Sequence, residues 1–204
     1  MVKLWEIERE LNAGGYRNIC GIDEAGRGPL AGPVYAAAVI LPYGIDIPLL
    51  NDSKKLSRIV REELYGVIMA TAIDCSVASA SHSEIDELNI LKATFLAMER
   101  AVQALKVKPD VLLVDGNQNP GIGYDTRCIV KGDARSASIA AASILAKVSR
   151  DRYIIEISRN YPQYLFEIHK GYGTKLHFER LREYGPSEIH RATFLRKFFT
   201  RNHD

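Results

Sequence analysis

Cysteine is scarce in this chain: Cys20, Cys75 and Cys128 are the only three in 204 residues, far apart and each in an apolar context. An odd, scattered set of this kind gives neither a disulfide framework nor a zinc site, and it reads as reduced core thiols of a cytoplasmic protein. No apolar run approaches the roughly 18 residues that cross a membrane, so no membrane span is expected. The opening stretch, MVKLWEIERELNAGGYRNIC, holds too many charges for the apolar core of a secretory signal. Internal repeats, low-complexity tracts and linkers long enough to divide domains are also missing. His82, His169, His177, His190 and His203 have no metal-ligand spacing and read as structural or surface residues. Net charge is only +2, which by itself favours no class of partner.

What is present is an ordinary globular composition with an uneven spread of charge. Lys147 to Asp204 carries 12 Lys/Arg against 7 Asp/Glu, and the remainder carries 15 against 18. An acidic front and a basic tail suit a metal site beside a phosphate-binding surface, although chance asymmetry gives the same totals. Hydrophobic period and turn residues predict a helix over Leu4–Ala13, strands near Asn18–Glu24 and Val34–Leu41, and a helix capped by Asp52 or Ser53 that runs to Ala70. A third strand follows in TAIDCSVASAS, then one helix over Ser83–Leu105. Strands in DVLLVDG and DTRCIVKGD, a long helix from Ala134 to Tyr161 and two shorter helices complete the chain. Strands first paired and then alternating with helices indicate an α/β domain with a mixed sheet covered by helices.

The stretch CGIDEAGRGPLAGPVYAAAVIL sets two acids, Asp23 and Glu24, at the mouth of an apolar region. Gly26 to Ala31 fits a loose dinucleotide pattern, but Pro33 and a strand follow where that motif needs a helix, and no Gly-Lys-Ser/Thr follows for a P-loop. Other acids supply a better explanation. Asp115 ends VLLVDG and Asp133 ends CIVKGD, so three strands each deliver carboxylate to a C-terminal tip, where sites of open α/β sheets form. Charges gathered there repel by about 4 kcal/mol per pair at ~4 Å and an effective dielectric of about 20. A hard cation, Mg²⁺ or Mn²⁺, relieves this with oxygen ligands alone, and such ions serve phosphoryl transfer, often in pairs. Each acid also has a plainer explanation: Asp133 as a helix N-cap, Asp115 before Gly116 as a turn residue, and Asp23-Glu24 as a solvated strand end. Strand alternation also points Asp23 and Glu24 to opposite faces unless the strand bends between them.

The segments GIDEAGRGPLAGPVYAAAVIL, NDSKKLS, VLLVDG, VKGDARSASIAAASILAKVSRDR, HKGYGTKLH and IHRATF, in this order from about residue 18 to 195, resemble the type 2 ribonucleases H (ribonuclease HII of the bacterial type). The resemblance implies a ribonuclease H-like fold, a mixed five-stranded sheet flanked by helices. It implies one catalytic domain over residues 1–204, with the last ~35 residues a helical substrate-binding appendage. The implied activity is endonucleolytic hydrolysis of the RNA strand of RNA–DNA hybrids, with cleavage 5′ of single ribonucleotides embedded in duplex DNA. Asp23, Glu24, Asp115 and Asp133 match the family's metal-binding and catalytic acids. These would hold two Mg²⁺ or Mn²⁺ ions and leave 5′-phosphate and 3′-hydroxyl ends. Gly26, Arg27 and Gly28 match the turn that reads the junction ribose, and Tyr172 the ring that stacks on the next deoxyribose.

Lys54, Lys55 and Lys170, inside these motifs, are candidate phosphate contacts, as are Lys147, Arg150, Lys175 and Arg191. Leu195 with Phe198-Phe199 resembles a sliding-clamp peptide lacking its usual glutamine, although a terminal helix packing onto the domain has the same pattern. The chain is expected to act as a monomer. A different nuclease on the same fold, or a hybrid-binding module without catalysis, would share part of this pattern.

Overall fold

The computed structural model of the chain describes residues 4–200, with side chains as far as Arg196. Five strands form one sheet: β1 (Ile19–Ala25), β2 (Val34–Ile40), β3 (Asp74–Ala80), β4 (Val111–Asp115) and β5 (Thr126–Ile129), in the order β3-β2-β1-β4-β5. The pairs β1–β2 and β2–β3 are antiparallel, and β1–β4 and β4–β5 are parallel. The expected mixed sheet flanked by helices is therefore present.

Alternation along β1 explains the two layers. Cys20 and Ile22, with Ala36, Ala38, Leu112 and Val114, pack beneath α3 (His82–Leu88) and α4 (Ile90–Gln103). On the other face Ala37 and Val39 meet α2 (Arg58–Thr71) and α5 (Ala137–Ile157). The long helix α5 is buried nearly all round and is built from small residues where it crosses the sheet. It crosses at Gly21: a Cβ there would lie 2.1 Å from the backbone carbonyl carbon of Ser138. The first helix, α1 (Glu6–Ala13), fixes the start of α5. Buried Glu8 accepts from the Ser136 hydroxyl at 2.5 Å and from the Ser138 amide at 3.0 Å. A carboxylate at a helix N-terminus is favourable there.

Four boundaries differ from the sequence expectation. The helix expected over residues 83–105 is broken at Asn89, which has φ 72° and caps α4 by accepting from the amides of Leu91 and Lys92; its short polar side chain competes with helix continuation. Ser57 caps α2, whereas Asp52 caps a separate 3-10 turn at Ser53–Lys55. The strand expected to reach Asp133 stops at Ile129, and Asp133 sits on a 3-10 turn, Gly132–Ala134, entered through Lys131 at φ 56°. Beyond α5 the described residues form three α-helices instead of two: a single turn α6 (Phe166–His169), then α7 (Lys175–Tyr184) and α8 (Ala192–Thr200). They gather around Tyr164, Phe166, Leu181, Ile189 and Leu195, against Ala31 and Ile154. Cys20 is buried, Cys75 and Cys128 are half-buried, and all three are free thiols. Among the described residues no helix is long and apolar enough to cross a membrane.

Because Gly21 meets α5 backbone and not a yielding side chain, Gly21→Ala should lower stability by about 3 kcal/mol, the upper end of the usual cost of overpacking. Urea unfolding followed by circular dichroism measures this, and a change below about 1 kcal/mol would contradict the packing described.

Candidate active site

The parallel strands β1 and β4 end side by side, and the chain uses both ends to place acids. Asp23 pairs with Ala37, on the α5 face of the sheet, and Glu24 pairs with Ala36, on the α4 face. The register alternates the two neighbours, yet near the strand's end Glu24 still acts on the group: its charge raises Asp23, and that of Asp115 raises Glu24. Asp115 is the last residue of β4. Its Oδ1 accepts from the Gly132 amide at 2.7 Å and so ties the turn carrying Asp133 to the strand tip. Carboxylate oxygens of Asp23, Asp115 and Asp133, one from each, all lie within 4.8 Å of one another. Asp133 does not cap α5; Ser136 does, accepting from the Ile139 amide.

Asp23 and Asp133 are each only 5% exposed. Burial holds the Asp23 carboxyl well above the usual carboxylate range, and the charges of Glu24 and Asp115 raise it further. Burial also raises Asp133, followed by repulsion from Asp115, and raises Glu24 against the relief that Arg27 gives. Lys54 lies 3.5 Å from Asp133, and Arg27 lies 3.1 Å from Glu24. Glu24 and Asp115 line one recess together with Arg27, Asn117 and Gln118, so Glu24 borders the acid group through Asp115. Three crowded carboxylates with oxygen donors only, and no imidazole or thiolate among them, fit a hard divalent cation, whose charge would offset the repulsion that acts on Asp23 and Asp133.

The Gly26-Arg27-Gly28 turn follows directly. Gly26 has φ +98°, and a Cβ there would meet the Arg150 side chain at 2.3 Å. Arg191, fully buried, donates from Nη2 to the Gly26 carbonyl at 2.6 Å, from Nη1 to that of Arg27 at 2.9 Å and from Nε to that of Gly32 at 2.9 Å. The Tyr172 ring stands beside Gly28, 40% exposed, with the Arg150 guanidinium 5.5 Å from its centre. Arg150 in turn donates to the Lys170 carbonyl at 2.9 Å, and the Leu30 amide donates to the Gly171 carbonyl at 2.8 Å. The turn and the tyrosine, about 145 residues apart, thus form one surface.

Of the basic residues read as phosphate contacts, Arg150 and Arg191 are fully buried and face backbone carbonyls, so that reading is corrected for both. Lys54 reaches Asp133, Lys55 is 4.0 Å from Asp52, and Lys170 bonds the Glu167 carbonyl. Lys147 pairs with Asp151 at 2.8 Å and Lys175 with Glu179 at 3.9 Å. The buried role of Arg191 has a faint signal in the sequence: an arginine set among the apolar residues of EIHRATFL.

The chain matches the family model described as ribonuclease HII over residues 20–201. It is 57% identical to the ribonuclease HII of Caldicellulosiruptor bescii over 196 residues, covering 96% of this chain and 95% of that protein. Among solved structures it resembles the ribonuclease H2 of Pyrococcus horikoshii OT3, with a TM-score of 0.74 and 28% identity over 92% of this chain and 99% of that one. It also resembles the ribonuclease HII of Archaeoglobus fulgidus, solved as a PCNA complex, with a TM-score of 0.69 and 27% identity over 86% and 94% of the two chains. Carboxylates gathered at the sheet's end and a match along nearly the whole sequence agree: the chain belongs to the ribonuclease HII family and is a metal-dependent endoribonuclease acting on the RNA strand of RNA–DNA hybrids.

Proposed function

We propose that the enzyme recognises the junction between a ribonucleotide and the deoxyribonucleotide after it, and cuts 5′ of single ribonucleotides embedded in duplex DNA, working as a cytoplasmic monomer. The observation that carries this reading is the continuity of the acids with the Gly26-Arg27-Gly28 turn and of that turn with Tyr172. A sugar lying on the turn would bring its 5′ phosphate toward Asp23, Asp115 and Asp133. Glycines let backbone groups approach the 2′-hydroxyl, the group that distinguishes RNA from DNA. With the Gly26 and Arg27 carbonyls engaged by Arg191, the peptide planes of the turn are fixed before substrate arrives. The exposed face of Tyr172 would accept a deoxyribose and clash with a 2′-hydroxyl at the next position.

Asp23, Asp115 and Asp133 would hold two Mg²⁺ or Mn²⁺ ions, with Glu24, beside Asp115 in one recess, as the fourth acid. Bound there, these ions supply Lewis-acid stabilisation of the phosphodiester and acidify water for in-line attack, leaving 5′-phosphate and 3′-hydroxyl ends. The Gly132 amide keeps Asp115 oriented, and Lys54 keeps its positive charge beside Asp133. Lys54, Lys55 and Lys170 would meet phosphates, and α6–α8 would serve as the substrate-binding appendage.

A sliding clamp is a further partner we propose on narrower ground, the PCNA complex of the Archaeoglobus fulgidus relative. Leu195 is buried against the domain, and the side chains of Phe198 and Phe199 lie outside the described residues.

On labelled duplex DNA with one internal ribonucleotide, the enzyme should make a single cut 5′ of that residue in Mg²⁺ or Mn²⁺. Asp115→Asn should lower the rate roughly 10²–10³-fold. Activity on long hybrids without this cut would overturn the roles of Gly26, Arg27, Gly28 and Tyr172. Lys54→Ala should flatten the dependence of log affinity on log salt by about one phosphate contact, ~0.9 in slope. Deleting residues 198–204 should abolish clamp binding in a pull-down with the organism's own clamp, and unchanged binding would dismiss that partner.

A further inference from the structure

Behind Tyr172 lie three imidazoles that the proposed chemistry does not use. His169, His177 and His190 are all buried, and the His169 and His177 rings stack with centres 4.2 Å apart. They hold the segment that carries Tyr172. The Tyr172 amide donates to the His169 carbonyl at 2.9 Å, and the Gly171 amide donates to His169 Nδ1 at 3.2 Å. Nδ1 of His177 lies 3.0 Å from the Tyr172 carbonyl, and its Nε2 lies 3.0 Å from Nε2 of His190. Nδ1 of His190 faces the Ser187 amide at 2.8 Å.

These partners fix the protons of His177 and His190. A carbonyl can only accept, so His177 Nδ1 carries hydrogen and donates to Tyr172. The Ser187 amide can only donate, so His190 Nδ1 is bare and its proton is on Nε2. His190 Nε2–H then donates to the bare Nε2 of His177. Burial keeps this chain neutral, pushing His177 down to about 4 and His190 down to about 3. Three buried imidazoles cost desolvation that apolar side chains of similar size would avoid, and the last donor of the chain goes to the backbone of Tyr172. His190 also precedes Arg191, so consecutive residues turn to the two halves of the reading surface. Arg191 takes the Gly26-Arg27 carbonyls, and His190, through His177, takes Tyr172.

We infer that His177 is a positioning residue for Tyr172, with its donor direction set by His190, and that this pair sharpens selection of a deoxyribose after the ribonucleotide. The inference rests on the junction reading proposed above. In a long hybrid the following sugar is a ribose, which cannot settle on the ring, so that rate draws no stacking from Tyr172 and responds little to fine changes in its placement.

The test compares kcat/KM on the single-ribonucleotide duplex with kcat/KM on a long RNA–DNA hybrid. His177→Leu should lower the ratio about 10-fold while hybrid activity stays within about 3-fold, since small misplacements at a site cost rate steeply. His177→Asn, which keeps a donor near the Nδ1 position, should restore most of the ratio. A parallel fall on both substrates, or an unchanged ratio, overturns the inference. Tyr172→Ala separates the two levels. If it leaves the ratio unchanged, the junction reading fails and the inference fails with it; if it shifts the ratio and His177→Leu does not, the inference alone fails. Should His177→Leu not fold, long-range ¹H–¹⁵N spectra of the unaltered chain still decide. They should show His177 protonated at Nδ1 and His190 at Nε2, and the opposite tautomer at His177 overturns the proposal.

Discussion

Negative charge concentrated at the ends of β1 and β4 is the constraint on which the arrangement of this protein turns. Asp23 is buried and crowded by Asp115 and Asp133, and burial and mutual repulsion both oppose ionisation there. Nothing in hydrophobic packing would assemble such a group. It persists because the surrounding fold is over-determined: the parallel β1–β4 pair sets two of the acids side by side, and the Gly132 amide fastens the third to the strand tip. A divalent cation converts the same geometry from strain into a site, which links the cost of the cluster directly to catalysis.

Two close approaches hold that geometry in place. The first is α5 lying on Gly21 with no side chain between, its N-terminus anchored by Glu8 of the first helix. It fixes the turn that carries Asp133 just ahead of α5. The second is the return of the C-terminal segment to the Gly26-Arg27-Gly28 turn. Arg191 takes over backbone carbonyls that a surface loop would leave to water, so a glycine-rich turn that would otherwise sample many conformations is held in one. Its guanidinium pays for this in desolvation, its pKa falling to about 9. The site therefore joins the first strand, the middle of the chain and its last quarter.

Much of this was legible in the sequence. Strand-length apolar runs ending in acids placed Asp23 and Asp115 at strand tips, and the small residues of α5 announced a helix packed closely on a sheet. What could not be read were features set by competition between local and tertiary bonds. Asn89 breaks a helix that periodicity alone would continue, because its side chain caps the next one. Asp133 looked like the end of a strand or a helix cap, yet it occupies a turn between the two, with Ser136 as the cap. Arg150 and Arg191 looked like surface cations, because sequence cannot show that backbone carbonyls from residues about 20 and 165 positions away would meet their guanidinium groups. The histidines gave no ligand spacing, and their hydrogen-bonded chain depends on contacts between α6, α7 and the segment before α8. Strand alternation keeps Glu24 out of the tight trio of Asp23, Asp115 and Asp133, yet at the strand's end it still borders Asp115 and its charge raises Asp23.

The most direct test of the central claim is thermal unfolding of the unaltered chain and of Asp23→Asn, each with and without saturating Mn²⁺. If the acids repel in the absence of metal and are reconciled by it, the metal-free variant should melt higher by about 2–4 °C, corresponding to ~1 kcal/mol in a chain of this size. With Mn²⁺ at about 100 times its dissociation constant, the unaltered chain should gain ~2.7 kcal/mol and overtake the variant. A metal-free variant that melts lower, together with no Mn²⁺ response in the unaltered chain, would mean that the cluster is a hydrogen-bonded structural feature and not a metal site.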